Sequence, residues 1–174
     1  SNHHLIKAVT DLSADIFSVR LFDGLTAIPH FNPDLDMNPD AAPEAVKYFR
    51  EQLHHAHAVL ICTPEYAIGV PGTLKNAIDW TVSSMHFSKK PVALITAGTS
   101  GHRAHQSLLG TLLIIESRIS PDTQLVIPGV KTKVTDNGTI TDDITLTSTR
   151  KLIQSLAGLV NGSVTECLPA PSLF

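Results

Sequence analysis

Cysteine is scarce in this chain, with only Cys62 and Cys167 among 174 residues. Two thiols build neither a disulfide framework nor a thiolate metal cluster, and they fit a reducing compartment, so a cytoplasmic location is expected. No apolar run approaches the roughly 20 residues of a membrane span. Excess charge of one sign is lacking as well. Thirteen Lys and Arg stand against sixteen Asp and Glu, a net charge of -3, which leaves no electrostatic footprint for nucleic acid or an acidic lipid surface. The opening stretch, SNHHLIKAVTDL, has no basic segment followed by an apolar core, so no secretory leader is expected. Several chemical motifs are missing too: the P-loop, the GxGxxG fingerprint, HExxH and the GxSxG elbow.

What remains is 43% apolar residues in a length suited to one core, so a single domain over residues 1–174 is expected. Leu5, Ile6, Val9 and Leu12 have helical spacing over residues 1–13. Residues 15–22, DIFSVRLF, alternate apolar and polar and predict a strand. A long loop with four prolines follows. Val46, Phe49 and Leu53 mark one face of a helix that begins near Pro43 and Glu44. Residues 58–62 and 91–98 are short, unbroken apolar runs, the pattern of strands covered on both faces. A helix follows each, a third strand is expected over 123–129, TQLVIPG, and a last helix runs over 142–160. The turn between them carries DNG. Helices alternating with buried strands predict a three-layer α/β sandwich on a parallel sheet. Ligands of such sheets bind beyond the carboxyl ends of the strands.

Two loops stand at such ends. Residues 63–72 place Glu65 and Tyr66 between Pro64 and Pro71, with Gly69 and Gly72 permitting close approach, and Thr73 as a candidate cap for the next helix. A rigid rim of amides suits a flat heterocycle; a tight βα turn with an incidental tyrosine accounts for the same residues. The second loop, Gly98 to His105, is rich in small residues and can meet a ligand edge or hold an anion through its amides and Arg103, or serve as an ordinary connection. Ser1 and Asn2 are capping types that can open a helix toward a phosphate, or simply fray. Nine histidines are many for this length. His54/His57 and His102/His105 have i, i+3 spacing, but no carboxylate or thiolate stands at ligand spacing beside them, so no metal is expected. His102 and His105 are candidates to line the ligand cleft. Cys62 lies in an apolar run and is expected to be a buried structural thiol. Ile78, Trp80 and Met85 are read either as core or as a face for self-association.

TPEYAIGVPGTLKNAIDW, Thr63 to Trp80, resembles the signature of the NADPH-dependent FMN reductase family, flavodoxin-like proteins that include quinone, azo-dye and chromate reductases. FNPDLD at 31–36, AVKYFREQLHHAHAVLI before the signature and KPVALITAGTSGHRAHQSLLGTL after it extend the resemblance to about residues 1–120. The resemblance implies a flavodoxin-like sheet of order 2-1-3-4-5. It implies FMN bordered by Pro64, Glu65, Tyr66 and Ala67 and by Gly98, Thr99, Ser100 and Gly101. Thr63 would lie near the ribityl and phosphate side, and Ser1 and Asn2 would end the phosphate loop. Tyr66, His102 and Arg103 would bound the acceptor pocket, and Asn76 and Asp79 would serve structure around the helix and a subunit contact. NADPH or NADH would reduce FMN, and a small-molecule acceptor such as a quinone or a flavin would then be reduced, in ping-pong order. No side chain is nominated as catalytic. Arg103 and Arg118 are the basic residues considered for the extra phosphate of NADPH. A homodimer or homotetramer is implied. The alternatives are a flavin-binding or redox-sensing module without turnover, and a non-catalytic protein-interaction remnant. The family pattern begins with a strand and half a phosphate loop that stand nowhere in this sequence. That strand is central in the expected order, and losing it would cost its neighbours ladder hydrogen bonds and apolar contact. Its residues are therefore expected upstream of Ser1, the alternative being a defective or partner-completed variant. Ala67 stands where relatives often carry Asn.

Overall fold

A computed structural model describes residues 2–172. Three parallel strands form the sheet: β1 (Val59–Thr63), β2 (Val92–Gly98) and β3 (Gln124–Pro128), in the order β1-β2-β3. Thr63 pairs with Thr96, and Gly98 pairs with Pro128, so the carboxyl ends of all three strands lie along one rim. The helices are α1 (Asn2–Ser13), α2 (Pro33–Asp36), α3 (Glu44–His55), α4 (Gly72–Asp79), α5 (His102–Ile114) and α6 (Asp143–Asn161).

The period of two along β2 explains the layering. Val92 and Leu94 face a core built with Val46, Phe49 and Leu53 of α3, Ala77 and Ile78 of α4, and Leu108 and Leu112 of α5. Ala93, Ile95 and Ala97 face the opposite core, with Leu5 and Val9 of α1 and Leu152 and Leu156 of α6. A strand apolar on both sides needs cover on both sides, and the helices supply it. Each of these large side chains contributes about 1.5–3 kcal/mol by leaving water. The expected three-layer parallel α/β architecture is therefore what the chain adopts.

One expected strand does not form. Residues 15–22 pass through a turn and then run without regular structure, and Ile16, Val19 and Leu21 are exposed. Alternation makes a strand only where another strand lends its edge. In the order 2-1-3-4-5 the second strand pairs only with the first, and among the described residues no strand stands beside this segment. It is held instead by Phe22, whose ring lies 5.0 Å from that of Phe49, and by Arg20, which donates to Gln52 Oε1 at 2.7 Å.

The long proline-containing loop is ordered by the second half of the Thr63–Trp80 segment. Asn76 accepts from the Phe31 N–H at 2.8 Å and donates to the Pro29 carbonyl at 2.9 Å. The Trp80 indole N–H donates to the same carbonyl at 2.9 Å, and Phe31 meets the Trp80 ring edge-on at 5.1 Å. Arg50 donates from Nε to the Trp80 carbonyl at 2.9 Å and from Nη2 to Asp36. Trp80 and Ile78 are buried, so they serve the core, whereas Met85 is exposed. Asp79 pairs with Lys75 one turn earlier, at 2.7 Å. Thr73 caps nothing: α4 starts one residue sooner, with Pro71 in the cap position.

Candidate functional site at the strand ends

The chain leaves β1 at Thr63, whose side chain is buried at the strand end and donates to the Pro64 carbonyl at 3.2 Å. Residues 66–69 then close a tight hairpin. The Tyr66 N–H donates to the Gly69 carbonyl at 2.8 Å, and the Gly69 N–H donates back to Tyr66 at 2.9 Å. Its two tip residues, Ala67 and Ile68, have φ of 48° and 66°. That is the left-handed region, which a two-residue turn of this hand demands at both positions and which Asn or Gly fills most readily. Tyr66 is 65% and Ile68 71% exposed, so the hairpin holds an aromatic residue and an apolar tip out toward solvent.

The neighbouring loop leaves β2 at Gly98 and enters α5 at His102. Thr99 and Ser100 are exposed and Gly101 is buried. Gly101 has φ of +96°, and a Cβ there would meet Val126 Cγ1 at 3.2 Å and Thr96 Cγ2 at 3.3 Å. Only glycine suits that position on both counts. Gly101 is the cap residue of α5 and has no side chain to cap with. The cap comes from the other loop. Glu65 Oε2 accepts from the Ala104 N–H at 2.8 Å, and Oε1 accepts from the Gly101 N–H at 3.3 Å. The Ala104 amide above all, then those of Gly101 and Arg103 and the charge of His102, holds the Glu65 carboxyl below the usual carboxylate range, against a smaller opposing effect of desolvation. A Cβ on Gly98 would lie 3.7 Å from the Glu65 amide, which is ordinary contact, so the two loops touch.

This cap changes one sequence reading. The amides at the start of α5 are not open to an exogenous anion, because Glu65 occupies them. His105 departs from expectation too. It is buried beneath the loop, with Nδ1 at 2.9 Å from Thr96 Oγ1 and Nε2 at 2.6 Å from Gln124 Oε1. An amide oxygen can only accept, so Nε2 carries the proton and Nδ1 accepts from the Thr96 hydroxyl. Burial pushes the His105 pKa down, more than the Gln124 bond raises it. His105 thus joins α5 to β2 and β3 and does not line a cleft, while His102 and Arg103 are exposed.

Asn2, at the start of α1, reaches the same rim. Its Nδ2 donates to the Ala97 carbonyl at 3.3 Å, and its Oδ1 lies 3.6 Å from the Cys62 thiol. Desolvation pushes that thiol up to about 12, which makes it a poor nucleophile. Ser1 lies outside the described residues. Arg118 neighbours Pro91 at the amino end of β2, at the far end of the sheet from Arg103. Among the described residues, no group of three or more His, Cys, Asp or Glu is placed to hold a metal ion, and no helix is long and apolar enough to cross a membrane.

The arrangement fits a flavin. Among the described residues, no hydrogen bond engages the N–H groups of Ala67, Ile68, Thr99 or Ser100. Two loops at adjacent strand ends thereby offer free donors, small side chains and one exposed ring, the donor set for a flat heterocycle with acceptors on its edge. The backbone contacts and the small residues of both loops were legible as candidates. The Glu65 cap and the Thr96–His105–Gln124 bridge were not, because their partners are 36 to 39, 9 and 19 residues away in sequence and carry no periodic signal.

Comparison with known proteins gives the same picture. The model of the family described as NADPH-dependent FMN reductase matches residues 1–132. An NAD(P)H-dependent FMN reductase of Pseudomonas aeruginosa is 35% identical over 142 residues, 79% of this chain and 73% of the relative. A quinone reductase of Pseudomonas putida is 29% identical, over 81% of this chain and 77% of its own. Among solved structures, the flavoenzyme NAD(P)H:(acceptor) oxidoreductase FerB of Paracoccus denitrificans superposes with a TM-score of 0.74 at 24% identity, over 92% of this chain and 90% of that one. It shares the fold.

Proposed function

The chain belongs to the NADPH-dependent FMN reductase family, and from that premise we propose that it passes reducing equivalents from NAD(P)H through FMN to a quinone, a flavin or a similar small acceptor, in ping-pong order. The observation that carries this reading is the pair of touching loops at the ends of β1 and β2, with free amides on both and Tyr66 exposed beside them. FMN, when bound, supplies the redox chemistry, taking up the reducing equivalents of the nicotinamide and delivering them to the acceptor.

The chain's own residues supply place and field. Pro64, Glu65, Tyr66 and Ala67 would border the ring through their backbone from one loop, and Gly98, Thr99, Ser100 and Gly101 would border it from the other. The amides favour charge on the ring edge without reorganising, since the hairpin and Gly101 hold them still. Thr63 and Asn2 would lie toward the phosphate side. Tyr66, His102 and Arg103 bound the space for the visiting nicotinamide and acceptor. No side chain is assigned a proton transfer. In this reading the whole chain is one flavodoxin-like domain, it assembles as a homodimer or homotetramer, and it works in the cytoplasm.

The test is an FMN titration followed by flavin fluorescence, then initial rates of NADPH oxidation at several concentrations of a soluble quinone. Saturable FMN uptake and parallel double-reciprocal lines are expected. FMN uptake without NADPH oxidation makes the protein a flavin-binding module instead, and no FMN uptake removes the reading.

A further inference from the structure

We infer that Glu65 is a positioning residue: its carboxylate clamps the loop after β1 to the loop after β2 and so holds both FMN-facing rims at one spacing. The inference rests on the proposed FMN site and adds a role for a side chain that does its work on the protein itself. Three observations carry it.

First, the contact joins the two loops directly. Both carboxylate oxygens are used, Oε2 on the Ala104 N–H at 2.8 Å and Oε1 on the Gly101 N–H at 3.3 Å. Second, nothing local replaces it. The first N–H groups of a helix have no partner within the helix, and the cap residue of α5, Gly101, has no side chain with which to satisfy them. Glu65 is also the only acidic residue between Glu51 and Asp79. Third, the far side of the same turn is already fixed. Gly101 rests against Val126 and Thr96, and His105 is tied to Thr96 and Gln124. Among the described residues, Glu65 is therefore the side chain whose hydrogen bonds tie the fixed α5 turn to the loop that carries the Tyr66 hairpin. The hairpin needs such a tie, because its own backbone is strained at Ala67 and Ile68.

The clamp also accounts for the chemistry the rim can do. A carboxylate seated on the α5 amides uses up the positive end of that helix, so the rim acts through the free amides of residues 67, 68, 99 and 100 and not through an anion hole at α5. When the clamp is cut, the loops sample other spacings, and the apparent FMN dissociation constant rises as the inverse of the fraction left in the competent one.

The experiment compares wild type with Glu65→Ala and Glu65→Gln by FMN fluorescence titration and by amide hydrogen exchange across residues 99–106. Cutting a helix cap corresponds to about a three- to thirty-fold change in an equilibrium, so Glu65→Ala is expected to weaken FMN binding by about that factor and to speed exchange at Gly101 and Ala104. Glu65→Gln keeps one carbonyl acceptor and is expected to lie between the two, a rescue that tracks the acceptor and not the bulk of the side chain; it also serves should the alanine variant fold poorly. FMN affinity within about two-fold of wild type in both variants, with wild type binding normally, overturns the inference and leaves the FMN site standing. A wild-type protein that takes up no FMN overturns the functional reading first, and the inference with it.

Discussion

Arg50 offers the sharpest test of what holds the site's supporting helix in place. Its guanidinium is nearly buried, as is its partner Asp36, with side-chain exposures of 10% and 9%. One nitrogen bonds Asp36 and the Trp80 carbonyl together, another bonds the same carbonyl at 2.9 Å, and the group lies 6.0 Å from the centre of the Trp80 ring. Three elements thus meet at one charge: α3, the end of α4, and α2 within the long loop. Replacing Arg50 with Met keeps the aliphatic stem and removes the charge. Asp36 is then left buried without a counterion, and the Trp80 carbonyl loses its donors. Removing one partner of a buried pair costs about 3–5 kcal/mol. At about 2–4 °C per kcal/mol for a chain of this size, the melting temperature should fall by roughly 6–20 °C. Urea unfolding followed by circular dichroism measures the loss directly. A second change, Asp36→Leu, made together with Arg50→Met, removes the stranded charge and should recover more than half of it, since apolar replacement of a whole buried pair is often neutral. A loss below about 1 kcal/mol for Arg50→Met, the value of a solvent-relaxed surface pair, refutes the reasoning.

Other outcomes follow from the same geometry. Asn76→Ala removes the acceptor for Phe31 and a donor to Pro29; it should destabilise the protein by about 1–3 kcal/mol and expose residues 24–42 to limited proteolysis, read by mass spectrometry. Ile68→Gly relieves a left-handed backbone at an exposed β-branched residue; because about 1–2 kcal/mol of steric cost is offset in part by glycine's extra unfolded-state freedom, the melting temperature should hold or rise slightly. Stability should fall as pH drops through the ordinary histidine range near 6.5. The folded pKa of His105 is depressed, chiefly by burial, so the unfolded chain takes up the proton first and acid favours unfolding. His86 is shifted the same way, by burial and then by the charges of Arg50, His54 and Lys90. His105→Gln should flatten part of that slope in urea melts at pH 7.5 and 5.5, and an unchanged slope counts against the buried neutral imidazole.

Much of the fold is written in local pattern. The apolar runs at 58–62 and 91–98 carry the pattern of strands covered on both faces, and Val46, Phe49 and Leu53 that of one helical face, because such patterns are read within a few residues. The loop composition at 63–72 and 98–105 likewise marked the rim that we propose as the ligand site. Tertiary structure decided what local pattern cannot carry. Residues 15–22 alternate as a strand should, yet a strand is a property of two stretches of backbone, and among the described residues no strand lends them an edge. Trp80 looked as suited to a surface as to a core until Arg50, Pro29 and Phe31 closed around it from 30 to 51 residues away. Glu65 read as a ligand contact. It became a cap for a helix that starts far downstream, because hydrogen bonds are satisfied in space and the chain's order says nothing of which orphaned amides a carboxylate will meet.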